Sequence, residues 1–144
     1  MERQVEAMLS GRQFRRSLEN YLKGLCDKYG IKRVEAEVLY YLSHAGDDNT
    51  AKDIAKSLFM NKGHISQTTD SLKKKGLIET EKDAMDYRIV HYSVTDEAKP
   101  LMNEVDDAID RLYEMLLDGL DEDDRDALAR IAASVGSNIR GFID

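Results

Sequence analysis

A mainly α-helical fold with one small β hairpin is what this 144-residue sequence predicts, and three observations predict it. Apolar residues recur at three- to four-residue steps over most of the length. One short stretch, Leu77 to Ser93, instead alternates around an acidic turn. Proline occurs once and tryptophan not at all, with 42% hydrophobic and 34% charged residues, which suits a folded, helix-rich chain rather than a disordered one.

Val5, Met8, Leu9, Leu18, Leu22 and Leu25 stripe a first amphipathic helix that ends near Tyr29-Gly30. A second helix covers about Val34 to Ser43, with Val38, Leu39 and Leu42 apolar, before the loop Gly46-Asp47-Asp48-Asn49. Thr50 and Asp53 have the spacing of a capping box, in which hydroxyl and acid each take an amide hydrogen bond. They start a short helix, Ala51 to Leu58, facing inward through Ile54, Ala55 and Leu58. After only Phe59-Met60-Asn61, with Asn61 as cap, a partner helix runs to Lys75 and stops at Gly76, where a left-handed residue is needed. Ile65, Thr69 and Leu72 are its core face; Lys62, Gly63, Ser66, Gln67, Asp70, Lys73 and Lys74 face outward.

Two helices joined by so short a turn read as a helix-turn-helix. Strands at about Leu77 to Lys82 and Tyr87 to Ser93, turning through Asp83-Ala84-Met85-Asp86, add a wing. Beyond Thr95 the chain is helical again. Leu101, Val105, Ile109, Leu112 and Leu116 mark one stripe, and Leu128, Ile131, Val135, Ile139 and Phe142 another behind an acidic start at Asp121 to Asp124. Pro100 removes a hydrogen bond in an early turn, so a late helix start or a bend is expected there.

Charge is divided along the chain. Residues 1–49 are balanced, residues 50–92 carry +2 and residues 93–144 carry −9, for a total of −7. The only net basic third is therefore the helix-turn-helix and wing. The single cysteine, Cys26, cannot form an intramolecular bridge, and no long apolar run suggests a signal peptide or membrane span. A soluble cytoplasmic protein without membrane attachment is expected. No glycine-rich phosphate loop, nucleophile motif or metal-ligand set is present, so an enzyme is not expected, nor a metal or cofactor.

The order of elements resembles the MarR family of winged-helix transcription regulators over nearly the whole chain. The residues that carry the resemblance are Lys73-Lys74-Lys75-Gly76-Leu77-Ile78, then Asp86-Tyr87-Arg88 in the wing, then Val94-Thr95 before a helix. Ala98, Gln67 and Pro100 depart from the family pattern. The resemblance implies a bacterial or archaeal protein with a single domain over residues 1–144. Within it lie a winged helix-turn-helix DNA-binding lobe at 34–95 and a helical dimerisation region at 1–30 and 96–144. It implies a homodimeric repressor on a pseudo-palindromic site in double-stranded DNA, released by a small-molecule effector.

The expected DNA-binding residues are Lys62, Gly63, His64, Ser66, Gln67, Lys73, Lys74 and Arg88. Ser66 and Gln67 are the base readers, since a glutamine amide pairs bidentately with adenine. Lys62 and His64 position phosphates, Gly63 allows close approach, and Arg88 reaches the backbone or minor groove. Asp86 supports Arg88: if both lie on a strand, alternation puts them on one face. The plain alternatives are a solvated helix, whose terminal lysines suit the helix dipole anyway, and an Asp86–Arg88 pair that only braces the strand. Arg15, Arg16, Tyr21, Tyr40 and Tyr41 are candidates for a cleft that takes a small aromatic or phenolic ligand, against the reading that they are core. Cys26 as a redox sensor stands against a buried structural cysteine. A winged helix used for protein contact is the rival from another class. The homodimer is expected to draw on Val5, Leu9, Val105, Ile109, Ile131, Val135 and Ile139, faces too apolar for solvent.

Overall fold

The computed structural model describes Met8 and residues 11–143, without the side chains of residues 142 and 143. Val5, Leu9 and Phe142, named above for their apolar character, lie outside what is described. The chain divides into two compact units, 1–109 and 110–144.

In the first unit, α1 spans Arg12–Tyr29, α2 Arg33–His44, α3 Ala51–Leu58 and α4 Lys62–Lys74. Strands β1 (Ile78–Lys82) and β2 (Val90–Val94) follow, then a short 3-10 turn, Asp96–Ala98, and the start of α5, Lys99–Leu116. Helix α1 stops where expected: Gly30 is left-handed at φ 63°, and the Ile31 amide donates to the Cys26 carbonyl at 3.0 Å. The capping box before α3 is formed from both sides, by the Asp53 amide to Thr50 Oγ1 at 3.3 Å and the Thr50 amide to Asp53 Oδ2 at 3.0 Å. Asn61 Oδ1 takes the His64 amide at 2.8 Å and caps α4.

The end of α4 is tied by the Gly76 amide to the Lys73 carbonyl and by the Leu77 amide to the Leu72 carbonyl, both at 3.0 Å. Leu77 thereby belongs to the helix terminus, and β1 begins one residue later than its apolar run suggests. Pro100 occupies the second position of α5, where its missing N–H costs no helical hydrogen bond; the 3-10 turn delays the helix, as anticipated.

The core of this unit is built from Val38, Leu39, Ile54 and Leu72, all fully buried, with Ile65, Ile78, Leu101 and Val105 beside them. At about 1.5–3 kcal/mol for each large aliphatic side chain removed from water, these contacts dominate its stability. Val105 and Ile109 are part of that core. Their stripe is consumed within the protomer, because α5 has an inner face that the first unit covers, so neither is free to form an interface between protomers as the sequence suggested.

The second unit holds the last turns of α5 and helix α6, Glu122–Ile143. The Asp121 carboxylate caps α6 by accepting the Asp124 amide at 2.8 Å. Arg125 reaches back to Glu114 and to the carbonyls of Leu117 and Leu120 at 3.3–3.4 Å. Ile131 and Ile139 remain about half exposed and Val135 is partly buried. No helix among the described residues is long and apolar enough to cross a membrane.

Candidate nucleic-acid interface

Helix α4 has the divided surface its sequence predicts. Ile65, Thr68, Thr69 and Leu72 are buried, while Lys62, Gly63, His64, Ser66, Gln67, Asp70, Lys73 and Lys74 are all exposed. Thr68 and Thr69 tolerate burial because their hydroxyls donate to the His64 and Ile65 carbonyls, at 2.8 and 2.9 Å. Seven hydrogen-bonding side chains and one glycine thus stand exposed on this helix, with His64 at the edge of a hollow beside Phe59 and Met60.

The third lysine of the basic run behaves differently. Lys75 Nζ lies 2.7 Å from Glu35 Oε2 and 3.0 Å from the Gly30 carbonyl oxygen, so its ammonium is already engaged within the protein although the side chain stays one-third exposed. Lys73 and Lys74 are left as the outward cations at this helix end.

The wing is shorter in its strands and longer in its turn than alternation suggests. Pairing runs from Ile78 opposite Val94 to Lys82 opposite Val90, which leaves 83–89 as a turn. The reason is local. Asp83 Oδ1 accepts the amides of Met85 and Asp86 at 2.8 and 2.9 Å, and Asp86 Oδ1 accepts the Arg88 amide at 3.0 Å, drawing these groups away from the strand ladder.

Asp86 and Arg88 are consequently brought together by a turn and not by sharing a strand face. Their side chains form a two-pronged pair, Nε to Oδ1 at 3.0 Å and Nη2 to Oδ2 at 2.9 Å, with the Arg88 side chain 90% exposed. The guanidinium, through its hydrogen bonds and then the Arg88 amide, holds the Asp86 carboxyl below its ordinary value, and the carboxylate raises Arg88 in return. Beside them Met85 and Tyr87 are also largely exposed. The tip is a fixed turn that presents a cation.

The five residues considered for a ligand cleft do not converge. Tyr40 and Tyr41 line a hollow of about 390 Å³ with Glu37, His44, Ala45, Ser57 and Leu58. Arg15 lines a second of about 530 Å³, next to Phe14, Arg33 and Met60. Arg16 and Tyr21 line neither, since one and six residues beyond Arg15 the helix has turned them to other faces. Tyr41 already donates its hydroxyl to the Asp48 carbonyl at 2.6 Å. Cys26 is buried; that burial, reinforced by Asp27, pushes its thiol up and away from the reactive thiolate. Among the described residues no three His, Cys, Asp or Glu side chains gather as a metal set.

Residues 31–98 match the model of a winged helix DNA-binding domain. The transcriptional regulator AdcR of Streptococcus pneumoniae serotype 2 (strain D39 / NCTC 7466) is 30% identical over 84 residues. That match takes in 58% of this chain and 56% of AdcR, so the chain spans a little over half the length of this curated relative. The crystal structure of MarR superposes with a TM-score of 0.71 at 18% identity, covering 94% of this chain and 96% of that one. The MepR–DNA complex of S. aureus gives 0.61 at 22% identity, covering 90% and 96%.

Proposed function

We propose that this chain, a winged-helix protein with the fold of MarR, is a sequence-specific DNA-binding transcriptional regulator that works as a dimeric repressor in the cytoplasm. The observation that carries the reading is the outward face of α4, polar along its whole length with lysines at both ends, together with a wing that displays Arg88 on a braced turn. On this reading Gln67 and Ser66 read base edges, Lys62, His64, Lys73 and Lys74 meet phosphates, and Gly63 lets the backbones come close.

Phosphate contacts release counterions, so affinity for duplex DNA should fall steeply and log-linearly with salt. Titration of a fluorescent duplex at 50 to 200 mM salt tests this. Binding that is absent, or indifferent to salt, would favour the protein-contact reading of the same lobe instead.

A second reading concerns control. The hollow under Tyr40 and Tyr41 is apolar with one carboxylate and one imidazole at its rim, a lining that suits a small phenolic effector better than a bare carboxylate. Saturable chemical-shift changes at Tyr40 and Tyr41 on adding phenolic compounds, with release of DNA, are the expected outcome.

A further inference from the structure

His91 is the second residue of β2, opposite Glu81 across the hairpin and bridged to Thr50 before α3. Both of its ring nitrogens face oxygen: Nε2 is 2.9 Å from Asp83 Oδ2, and Nδ1 contacts Asn49 Oδ1. A neutral imidazole has one N–H, an imidazolium two. Only the protonated ring satisfies both contacts as they stand; on losing its proton, either the Asn49 amide must turn over to donate its nitrogen, or Asp83 must let go.

Asp83 is the residue on which the wing tip is hung. Besides His91 it holds the amides of Met85 and Asp86, and its own amide donates to the Ile89 carbonyl at 3.0 Å. The Ile89 amide in turn closes on the Asp86 carbonyl at 2.9 Å, and Asp86 grips the guanidinium. The chain of contacts therefore runs from the loop before α3, through the ring, to Arg88.

We propose that Asn49, His91 and Asp83 form a proton-linked clamp that holds the wing in the shape presenting Arg88, which makes them positioning residues for DNA binding. This rests on the regulator reading above. Among the described residues the charged groups near the ring are Asp83 in the turn, Glu81 on β1 and Asp53 on α3, with the Lys52 ammonium acting on Asp53 from the same helix. The hydrogen bond from His91, with the amides of Asp86 and Met85, holds the Asp83 carboxyl down at about 2, leaving it ionised throughout the range in which a histidine changes charge.

The test uses the full chain carrying His64→Gln, which removes the exposed histidine on α4 together with one proposed phosphate contact, so every affinity is compared within this weaker-binding background. In the 15N-labelled protein without DNA, the amides of Met85, Asp86 and Ile89 should shift with the same midpoint as the His91 ring between pH 5.5 and 8, and should stay still over that range when His91→Gln is added. For binding, the probe is a duplex selected from a random-sequence pool on the parent protein. Its affinity should fall about tenfold from pH 6 to pH 8. The fall should vanish on adding His91→Gln, and also on adding Arg88→Ala, because the clamp acts through that side chain. Amides that ignore the ring, or a pH dependence that survives either added substitution, overturn the proposal. Should no duplex bind at any pH, the regulator reading fails while the amide titration still decides the clamp.

Discussion

Lys75 Nζ and Glu35 Oε2 are 2.7 Å apart, and the Glu35 side chain is only 1% exposed. The pair ties the end of α4 to the start of α2, and the Gly30 carbonyl adds the turn after α1. Burial would by itself raise the Glu35 carboxyl, but hydrogen bonds from Lys75, Ser71 and the Lys32 amide outweigh it and hold the group below its ordinary value. Helix α4, the proposed recognition helix, is thus anchored at its C-terminal end by an ion pair whose carboxylate is buried and whose ammonium is partly exposed.

Removing one partner of such a pair leaves a buried charge, so Lys75→Met should lower stability by about 3 kcal/mol in urea denaturation at pH 7. The sign with pH follows from the lowered carboxyl. Its contribution is complete above the ordinary value of 4.5 and is lost as pH falls through the folded-state value. From pH 5 to pH 3 the wild-type urea midpoint should drop more steeply than that of Glu35→Gln; equal slopes would show that the carboxylate adds nothing.

Gln67→Ala should relax discrimination at one base pair in each half-site, costing about 1–3 kcal/mol on the preferred base. Lys73→Ala should weaken all sequences alike and reduce the salt slope by about 1. Binding measured on a series of mutated duplexes separates the two, and an unchanged base preference in the glutamine variant removes Gln67 from readout.

Arg88→Ala should lose most affinity while the thermal midpoint stays within about 2 °C, since an exposed arginine contributes little to stability. Asp86→Ala should lose less, because the guanidinium remains and only its brace is gone. Wild-type affinity in the arginine variant would remove the wing from the interface.

The helices, the two caps and the glycine stops were legible because each depends on residues within four positions of one another. What escaped was long-range. The sequence shows three equivalent lysines at 73–75; that Lys75 is tied to a buried carboxylate depends on Glu35, forty residues earlier. The wing failed differently. An alternating run from Tyr87 looked like strand, but Asp83 and Asp86 capture amides that the ladder needs, a competition that the pattern of side chains does not reveal. The stripe of α5 was read as a surface for another protomer because amphipathicity says that a face is covered without saying by what. The site residues on α4 were visible as a set, while the scattered aromatics and arginines of the ligand reading carried no such periodic constraint.

Phe59 is, among the described residues, the non-glycine with positive φ, at 53°, and it is 82% exposed. Phe59→Gly should relieve the left-handed strain and raise stability by up to about 1 kcal/mol after the entropic cost of glycine. Calorimetry showing a lower midpoint would mean that the ring makes contacts which outweigh the strain.

Ile131 and Ile139 lie two turns apart on α6 and stay half exposed. A homodimer built on this face predicts that Ile131→Asp shifts the protein to monomer in light scattering at micromolar concentration, with DNA affinity falling alongside. A wild-type protein that scatters as a folded monomer would rule the arrangement out.

Gly76 ends α4 at φ 71°, and a Cβ there would come within 2.8 Å of Glu97 Oε2. The carboxylate ends a flexible, exposed side chain and can swing aside, so it is the left-handed backbone, at about 1–2 kcal/mol for an L side chain, that penalises replacement. In a saturation screen for loss of regulation many replacements here should therefore be weakened, alongside those at the proposed DNA-contacting residues of α4. Cellular abundance would part the two classes: substitutions at Gly76 deplete the protein, whereas those at Gln67 or Lys73 leave it plentiful and silent.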